Sequence, residues 1–562
     1  MNIEKLLYKP AGEKAILLGD FAVIRGALEA GVQFVSTYPG TPASEIGDGF
    51  SLLKKAGKGS FYFEYSTNEK VALEAGIGAS FSNLKTLVAM KSFGLNVASD
   101  ALLPFGYTGI RGPTVIVVAD DPSCHSSGQE EENTRGFASL AHIPILEPSD
   151  PQECKDFTKI AFELSEKFEI PVILRLTTRV AHQSSIVKLG KIEKANRKAG
   201  FKKDYQRFVT MPPRVLEMHD ELLDKLAKIK RESEQSAINF INDWSAVAKI
   251  GIITSGVSYL HTKEALQSLN LRIPVLKLGF FHPLPEKKIE RFIKLLNKVL
   301  MVEELEPYLE KEIKILAKDA NPKLKIFGKN LLPETRELTP EIVMSAIAQL
   351  AGRKLKIENS LKIGNCKLKI PQRSPNLCPG CPYWPVFNGV KQALQEAGLK
   401  REDVVFGGGI GCYMLASFIP HNLQDYLLCM GSSIGIAHGI KKANKKQKLI
   451  SFVGDSSFFH AGIPALINIV HNQSNPLIIL MDNQITAMTG QQPYPGIAES
   501  GRKEKGQKVK LEEIVKACGV KHLKIIEPAK DYKGFIKVVK DFLKKETVAV
   551  IIARRPCVRI KR

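Results

Sequence analysis

Gly454-Asp455-Ser456, then twenty-six residues, then Asn483, is the stretch whose reading decides the fold. An apolar run (Leu449, Ile450, Phe452, Val453) leads into Gly-Asp-Ser. A helix-like stretch follows from Gly462 to about His471, and a second apolar run, Pro476 to Met481, ends at Asp482-Asn483. The order is strand, loop, helix, strand, loop, which places both loops at the carboxyl ends of neighbouring parallel strands, where α/β sheets bind ligands. An Asp and an Asn there can share a magnesium ion, whose hard oxygen ligands suit a diphosphate.

This spacing resembles the thiamine diphosphate motif, Gly-Asp-Gly/Ser followed at this distance by Asn. Thiamine works through a thiazolium carbanion, and its aminopyrimidine must serve as an internal base. A carboxylate bonded to the pyrimidine promotes this by favouring the imino tautomer. A Glu at the start of a small-residue helix suits that role. Glu69 fits it, since Asn68-Glu69-Lys70 precedes Val71 to Ala79; Glu74 competes, and Glu64 is third. Tyr38-Pro39-Gly40-Thr41-Pro42 makes a stiff loop after the apparent strand Gln33 to Ser36. It can present Thr41 to a substrate carboxylate, and it can equally start a helix with Thr41 as N-cap and Pro42 at N1.

The chain of 562 residues is too long for one core. Its 44% hydrophobic and 25% charged content is that of a soluble globular enzyme. The net charge of +22 is spread through Lys-rich stretches such as Lys225 to Arg231 and Lys441 to Lys448, a solvated surface of the kind Lys-rich thermophile proteins carry. No nucleic-acid module stands out, so no nucleic-acid partner is expected. No apolar run spans a membrane, and Met1 to Lys14 lacks a signal-peptide pattern, so a cytoplasmic protein without membrane attachment is expected.

Residues 1–189 alternate strand-like runs (Ala15 to Leu18, Thr86 to Met90, Thr114 to Val118, Pro171 to Leu176) with helical ones, a doubly wound α/β pattern. Residues 190–245 read as a polar linker with one charged helix, 246–352 as a middle α/β domain, 353–374 as a second linker, and 375–562 as a further doubly wound domain. The first and last domains can share one cofactor between them.

Nine cysteines are too few for a disulfide scaffold in a chain this long. Cys378-Pro379-Gly380-Cys381, Cys412 after the run Gly407 to Gly411, and Cys557 past the strand Val548 to Ile552 form a suggestive set. Four thiolates can hold a [4Fe-4S] cluster or zinc, and a redox-active Cys-x-x-Cys is a third reading. A thiamine site generates electrons, which a cluster accepts singly and zinc cannot, and this favours the cluster. Cys124, Cys154, Cys366, Cys429 and Cys518 read as structural or incidental.

Nearly the whole chain resembles the α subunit of the indolepyruvate:ferredoxin oxidoreductases, within the 2-oxoacid:ferredoxin oxidoreductases. The resemblance rests on Gly26 to Gly31, Tyr38 to Pro42, Asn68 to Glu74, Gly94 to Ala98, Ala119 to Pro122, Leu146 to Pro151, Val302 to Pro307, Cys378 to Pro382, Ile410 to Tyr413, Cys429 to Gly431, Ala437 to Gly439 and Ala553 to Cys557. It implies a pyrimidine-type thiamine domain first, a transketolase-C-like middle domain, and a diphosphate-type domain last. It implies oxidative decarboxylation of an aryl pyruvate (indolepyruvate or a similar 2-oxoacid) with coenzyme A, giving an acyl-CoA, CO2 and two electrons for ferredoxin. A non-oxidative thiamine-dependent decarboxylase, and a non-catalytic subunit with structural zinc, are the rival readings.

By position in the family, Glu69 activates the aminopyrimidine and Thr41 faces the substrate. Asp455, Asn483 and the Ile485 carbonyl ligate Mg2+. Gly431, Ser432 and Ser433 lie along the diphosphate, with Gly454 and Ser456 beside it. Cys378, Cys381, Cys412 and Cys557 hold the [4Fe-4S] cluster. The family also implies a smaller β subunit and a hetero-oligomer with two or more copies. Its α subunit usually continues into a ferredoxin-like domain with two further cluster motifs, whereas this sequence ends at Arg562. Either a separate ferredoxin-like subunit carries those clusters, or electrons leave directly from the one cluster. Tyr383 and Ser92 stand where histidines are usual, and the run Ser126 to Arg135 is altered. These departures leave open an aryl or a branched 2-oxoacid.

Overall fold

The computed structural model describes residues 3–126, 128–245, 247–353 and 375–560; Ser127, Cys366 and most of the stretch 353–374 lie outside the described residues. The chain forms two compact units, Met1–Leu361 and Lys362–Arg562.

The first unit holds a seven-stranded sheet. Its spatial order is Phe280–His282, Ile145–Leu146, Val172–Thr177, Thr114–Asp120, Thr86–Lys91, Phe34–Thr37 and Tyr62–Tyr65. Every neighbouring pair is parallel except the first, which is antiparallel. The three strands Thr86–Lys91, Thr114–Asp120 and Val172–Thr177 are buried at every position. A parallel sheet covered by helices on both faces requires this, and it makes such strands read as continuous apolar runs. Each fully buried Val, Leu or Ile there contributes about 1.5–3 kcal/mol.

A second sheet in this unit runs Lys325–Phe327, Lys298–Val302, Ile250–Ser255, Val275–Leu278 and Asn239–Asn242. The last strand is antiparallel to its neighbour and comes from the stretch 190–245, which also carries the charged helix Arg214–Gln235. The segment after residue 246 also contributes to the first sheet, through Phe280–His282. Ala15 to Leu18 is a strand, as its apolar residues suggest, but it stands outside the parallel sheet. It pairs antiparallel with Ser184–Lys188 in a two-stranded ribbon. Its alternating exposed and buried positions suit a ribbon wet on one face.

The second unit is built on six parallel strands, in the spatial order Tyr426–Leu427, Val404–Gly408, Lys448–Gly454, Leu477–Asp482, Ala549–Arg554 and His522–Ile526. The chain starts at Val404–Gly408, steps outward to Tyr426–Leu427, and then returns past its start to Lys448–Gly454. The order therefore reverses between Val404–Gly408 and Lys448–Gly454, and a crevice opens at the carboxyl ends of strands at such a switch point. Among the described residues, no helix is long and apolar enough to cross a membrane.

Candidate active site

Four strands of the second unit deliver the expected residues to one edge of the sheet. Val404–Gly408 leads to Cys412, Lys448–Gly454 to Asp455, Leu477–Asp482 to Asn483, and Ala549–Arg554 to Cys557.

Asp455 is buried, and its carboxylate is held in place by three donors. Oδ1 accepts from the Ser456 N–H at 2.8 Å, and Oδ2 accepts from the Gln484 N–H at 2.8 Å and the Tyr494 hydroxyl at 2.8 Å. Burial, and then the charge of neighbouring Asp482, push the Asp455 carboxyl up to about 8. A nearby cation reverses that balance by favouring the charged form. Asn483 is also buried, and its Oδ1 accepts from the Ile485 N–H at 3.1 Å. Gln484 between them takes a left-handed φ of 61°, which turns the loop back on itself. The Thr486 hydroxyl donates to Ser456 Oγ at 3.1 Å, joining the two loops again. A carboxylate, a carboxamide oxygen and a main-chain carbonyl in these loops make the hard oxygen set that Mg2+ takes while it is also bound to substrate phosphates. The residues present fit a magnesium diphosphate.

Gly431 precedes the helix Ser432–Ala443. Its φ is +78°, and a Cβ there would lie 2.9 Å from the Ala461 carbonyl carbon, so only glycine fits. Ser433 is buried and donates to the Phe452 carbonyl at 2.9 Å, anchoring the helix start to the strand that ends in Gly454. The Ser432 hydroxyl turns instead to the Cys429 carbonyl at 2.8 Å. The free N–H groups of a helix start suit an anionic diphosphate.

The four cysteines come together. Burial first, and then the charges of Cys381, Cys557 and Cys378, push the Cys412 thiol up to about 12. Cys381 rises to about 11, by burial and then by its neighbours Cys557 and Cys378. A tetrahedral zinc site with Zn–S bonds of about 2.3 Å holds its sulfurs about 3.8 Å apart. A cubane cluster binds each thiolate to its own iron and so spaces them more widely. Four gathered thiols are the donor set of either group. The Cys-Pro-Gly-Cys turn is closed by the Cys381 N–H on the Cys378 carbonyl at 3.1 Å, and the Trp384 indole N–H donates to the same carbonyl at 3.2 Å. Tyr383 is buried and donates its hydroxyl to the Met481 carbonyl at 3.3 Å, on the strand that ends at Asp482. Cys412→Ala is expected to lower the iron content and bleach the charge-transfer absorption of the anaerobically purified protein; an unchanged spectrum would remove Cys412 from the ligand set.

In the first unit, Glu69 is buried at the first position of the helix Glu69–Phe81, and Asn68 caps that helix by accepting from the Val71 N–H at 2.9 Å. Glu74 is half exposed beside Lys70, and Glu64 accepts from the Tyr62 and Ser66 hydroxyls. Gly94 packs directly on Glu69, and a Cβ there would stand 2.4 Å from the Glu69 Cγ. Gly94→Ala is therefore expected to displace the Glu69 carboxylate and to cost kcat about 100-fold, the scale of a 1 Å misplacement, with only a small change in Tm; near-normal turnover would show that Glu69 tolerates the shift.

Thr41 lies outside the following helix, which begins at Ser44 with Ala43 at its N-cap. A turn closed by the Ala43 N–H on the Gly40 carbonyl at 2.8 Å comes first, so the N-cap role does not fall to Thr41. The Thr41 carbonyl accepts from the Ser126 hydroxyl at 2.9 Å, and Ser126 accepts in turn from the buried Lys91 at 2.6 Å. Lys91 also pairs with Asp121 at 3.1 Å. Two of the sequence's departures meet nearby: Ser92 faces Glu132 of the altered run, and Asn96 donates to the same carboxylate at 3.2 Å. Burial, and then Asp120 and Glu130, push the Glu132 carboxyl up to about 8. Tyr494, Gln484, Thr486 and Gly94 carry no local sequence signal for their roles. Lys91 does carry one, as a lone charge ending an apolar strand run.

Comparisons with known proteins place the chain in a family. Residues 25–222 match the family described as pyruvate flavodoxin/ferredoxin oxidoreductase, thiamine diphosphate-binding. Residues 243–370 match the indolepyruvate oxidoreductase domain, and residues 409–553 match the thiamine pyrophosphate enzyme, C-terminal TPP binding domain. The chain is 42% identical over 560 residues to the indolepyruvate oxidoreductase subunit IorA of Methanothermobacter thermautotrophicus, covering 99% of this chain and 89% of that one. It is 41% identical over 574 residues to the subunit of the same name from Pyrococcus horikoshii, covering 98% and 87%. A solved 2-oxoglutarate:ferredoxin oxidoreductase from Magnetococcus marinus shares the fold, with a TM-score of 0.50 and 18% identity over 60% of this chain and 65% of that one.

Proposed function

Because the chain belongs to the indolepyruvate oxidoreductase subunit IorA family, thiamine-diphosphate-dependent 2-oxoacid:ferredoxin oxidoreductases, we propose that it oxidatively decarboxylates an aryl pyruvate such as indolepyruvate. The balanced reaction takes the 2-oxoacid anion and coenzyme A to the acyl-CoA, CO2, one proton and two electrons, and the electrons leave one at a time for ferredoxin. Thiamine diphosphate supplies the carbanion that attacks the keto carbon and the electron sink for the departing CO2.

This chain's residues hold and direct that chemistry. Asp455, Asn483 and the Ile485 carbonyl would hold Mg2+, and Gly431, Ser432 and Ser433, with Gly454 and Ser456 beside them, would receive the diphosphate. Glu69 would hold the proton at the pyrimidine nitrogen, and Thr41 would meet the substrate carboxylate. Cys378, Cys381, Cys412 and Cys557 would hold a [4Fe-4S] cluster as the electron exit. One observation carries the oxidative reading: the Cys557 N–H donates to the Asn483 carbonyl at 2.9 Å. A candidate cluster ligand is thereby tied by one hydrogen bond to a candidate magnesium ligand, a short path for electrons.

The partners of this reading are a smaller β subunit and ferredoxin or a separate ferredoxin-like subunit, in a cytoplasmic hetero-oligomer containing two or more copies. The experiment that tests it is anaerobic purification with assay of iron, acid-labile sulfide and zinc beside an absorption spectrum. About four irons and four sulfides per chain are expected, as one cubane requires. Zinc in place of iron, or no iron at all, would remove the electron exit and leave non-oxidative decarboxylation as the better account.

A further inference from the structure

Asp20, Glu45 and His182 meet in the first unit, and none of them is among the residues assigned above. Asp20 lies in the first turn of the helix Gly19–Glu29, Glu45 in the first turn of Ser44–Lys55, and His182 ends the short helix Thr178–His182. One carboxylate oxygen from each acid and one imidazole nitrogen all lie within 4.8 Å of one another. His182 Nε2 and Glu45 Oε2 are 3.3 Å apart.

Asp20 gives the cluster its direction. It is fully buried, and neither carboxylate oxygen has a hydrogen-bond partner. A buried carboxylate with no donor is costly, and proteins resolve that cost with a proton, a partner or a metal. Burial and the charge of Glu45 hold the Asp20 carboxyl well above its ordinary range. Those oxygens make no hydrogen bond, yet one of them lies within 4.8 Å of the Glu45 and His182 ligand atoms, so the space between the three suits an ion.

We propose that Asp20, Glu45 and His182 bind a divalent first-row transition ion, zinc by best fit, as a structural brace for the loop that carries Thr41. Ligand bonds of about 2.0–2.2 Å to oxygen and nitrogen put tetrahedral ligand atoms about 3.3–3.6 Å apart. The His182–Glu45 separation of 3.3 Å already has that value, and the Asp20 oxygen lies within 4.8 Å of both. Two carboxylates and one neutral imidazole balance a double charge. The imidazole nitrogen argues against Mg2+ and Ca2+, which take oxygen ligands. Glu45 and His182 are each about one-third exposed (35% and 33%), which leaves a path from solvent and room for a water as fourth ligand. Glu45 follows Pro42 by three residues, so an ion fixed there pins the helix into which the Thr41 loop runs. His182 ends the helix whose Thr178 hydroxyl donates to Asp121 Oδ1 at 2.6 Å, and Asp121 also accepts from Ser126, the residue that holds the Thr41 carbonyl.

The test uses the enzyme purified anaerobically with its partner subunit, as wild type, Asp20→Asn and His182→Gln. Zn2+ is added at increasing concentration, free metal is removed, and zinc and iron per chain are counted by mass spectrometry alongside Tm. About one zinc per chain, the occupancy of a single site, is expected on the wild type and is lost in both variants at equal iron content. Tm is expected to rise with Zn2+ in the wild type alone. Without added metal, Asp20→Asn is expected to be as stable as the wild type or more so, since the substitution removes the unpaired charge. If Asp20→Asn does not fold, His182→Gln, at a partly exposed position, decides the matter. Equal zinc content and equal Zn2+ response in wild type and variants, or no zinc on the wild type, would overturn the proposal.

Discussion

Glu69→Ala is expected to lower kcat by about 10²–10⁴-fold, the contribution of a positioned proton-transfer group, while iron content and thiamine diphosphate binding stay near normal. Three glutamates near the helix start compete for this role in the sequence, and their surroundings separate them. Glu74 is half exposed and faces Lys70 at 3.9 Å, the geometry of a solvated helix pair. Glu64 accepts from the Tyr62 hydroxyl at 2.8 Å and the Ser66 hydroxyl at 2.7 Å, which hold it in the strand Tyr62–Tyr65 and its exit rather than at the helix start. Glu69 is buried, sits at the helix start, and lies against a residue with no side chain, Gly94. A buried carboxylate at the start of a helix, packed against a residue without a side chain, suits a bond to a cofactor nitrogen. Glu69→Gln keeps the shape but cannot hold the negative charge that favours the imino tautomer, and it should be nearly as impaired. Glu74→Ala should retain most activity. Steady-state turnover with the cluster spectrum as a folding control decides among them, and a Glu69→Ala protein with wild-type turnover would sink the assignment.

The parallel strands were legible because burial on both faces makes them apolar throughout. Thr86–Lys91, Thr114–Asp120 and Leu477–Asp482 announce themselves without any partner. Asp455 and Asn483 were legible for a related reason, since polar residues directly after such runs have to lie at the carboxyl edge of the sheet. Edge pairings were not legible. Lys14–Leu18 reads like any half-buried strand, and only tertiary packing selects Ser184–Lys188 as its partner. Phe280–His282 is three residues long, too short for a period to show, and its attachment to Ile145–Leu146 is a long-range choice. Tyr494 reaches Asp455 across 39 positions, and Ser126 reaches Thr41 across 85. No local pattern encodes such contacts. The Asp20, Glu45 and His182 group, drawn from three separate helices, is hidden from a linear reading in the same way.

Asp455→Asn is expected to lower Mg2+-dependent thiamine diphosphate affinity by more than about 100-fold, beyond what loss of an outer-shell partner of a metal ligand costs, and to abolish turnover at ordinary cofactor concentrations. The same substitution should change how stability responds to pH. In the metal-free chain, burial and neighbouring Asp482 raise the folded Asp455 carboxyl to about 8, from an ordinary value of 3.8. The folded state therefore keeps a proton that the unfolded chain gives up. Its stabilising contribution is complete below about pH 4 and is lost as pH rises through about 8. Without metal, wild-type Tm should fall more steeply than that of Asp455→Asn across this window. Magnesium and thiamine diphosphate need the ionised carboxylate, so their affinity should climb with pH toward about 8 in the wild type and stay flat in the variant. Tyr494→Phe removes a hydrogen bond donated to Asp455 Oδ2 and gives an intermediate case. It keeps the ligand but loses a donor that steadies the charged form, so the wild-type rise in affinity should shift to higher pH. Thermal melts and cofactor titrations of the three proteins over roughly pH 5 to 9 check all of these together. Parallel wild-type and Asp455→Asn melting curves in the absence of metal would show that Asp455 is ionised throughout, and that Tyr494 and the surrounding N–H groups already hold its charge.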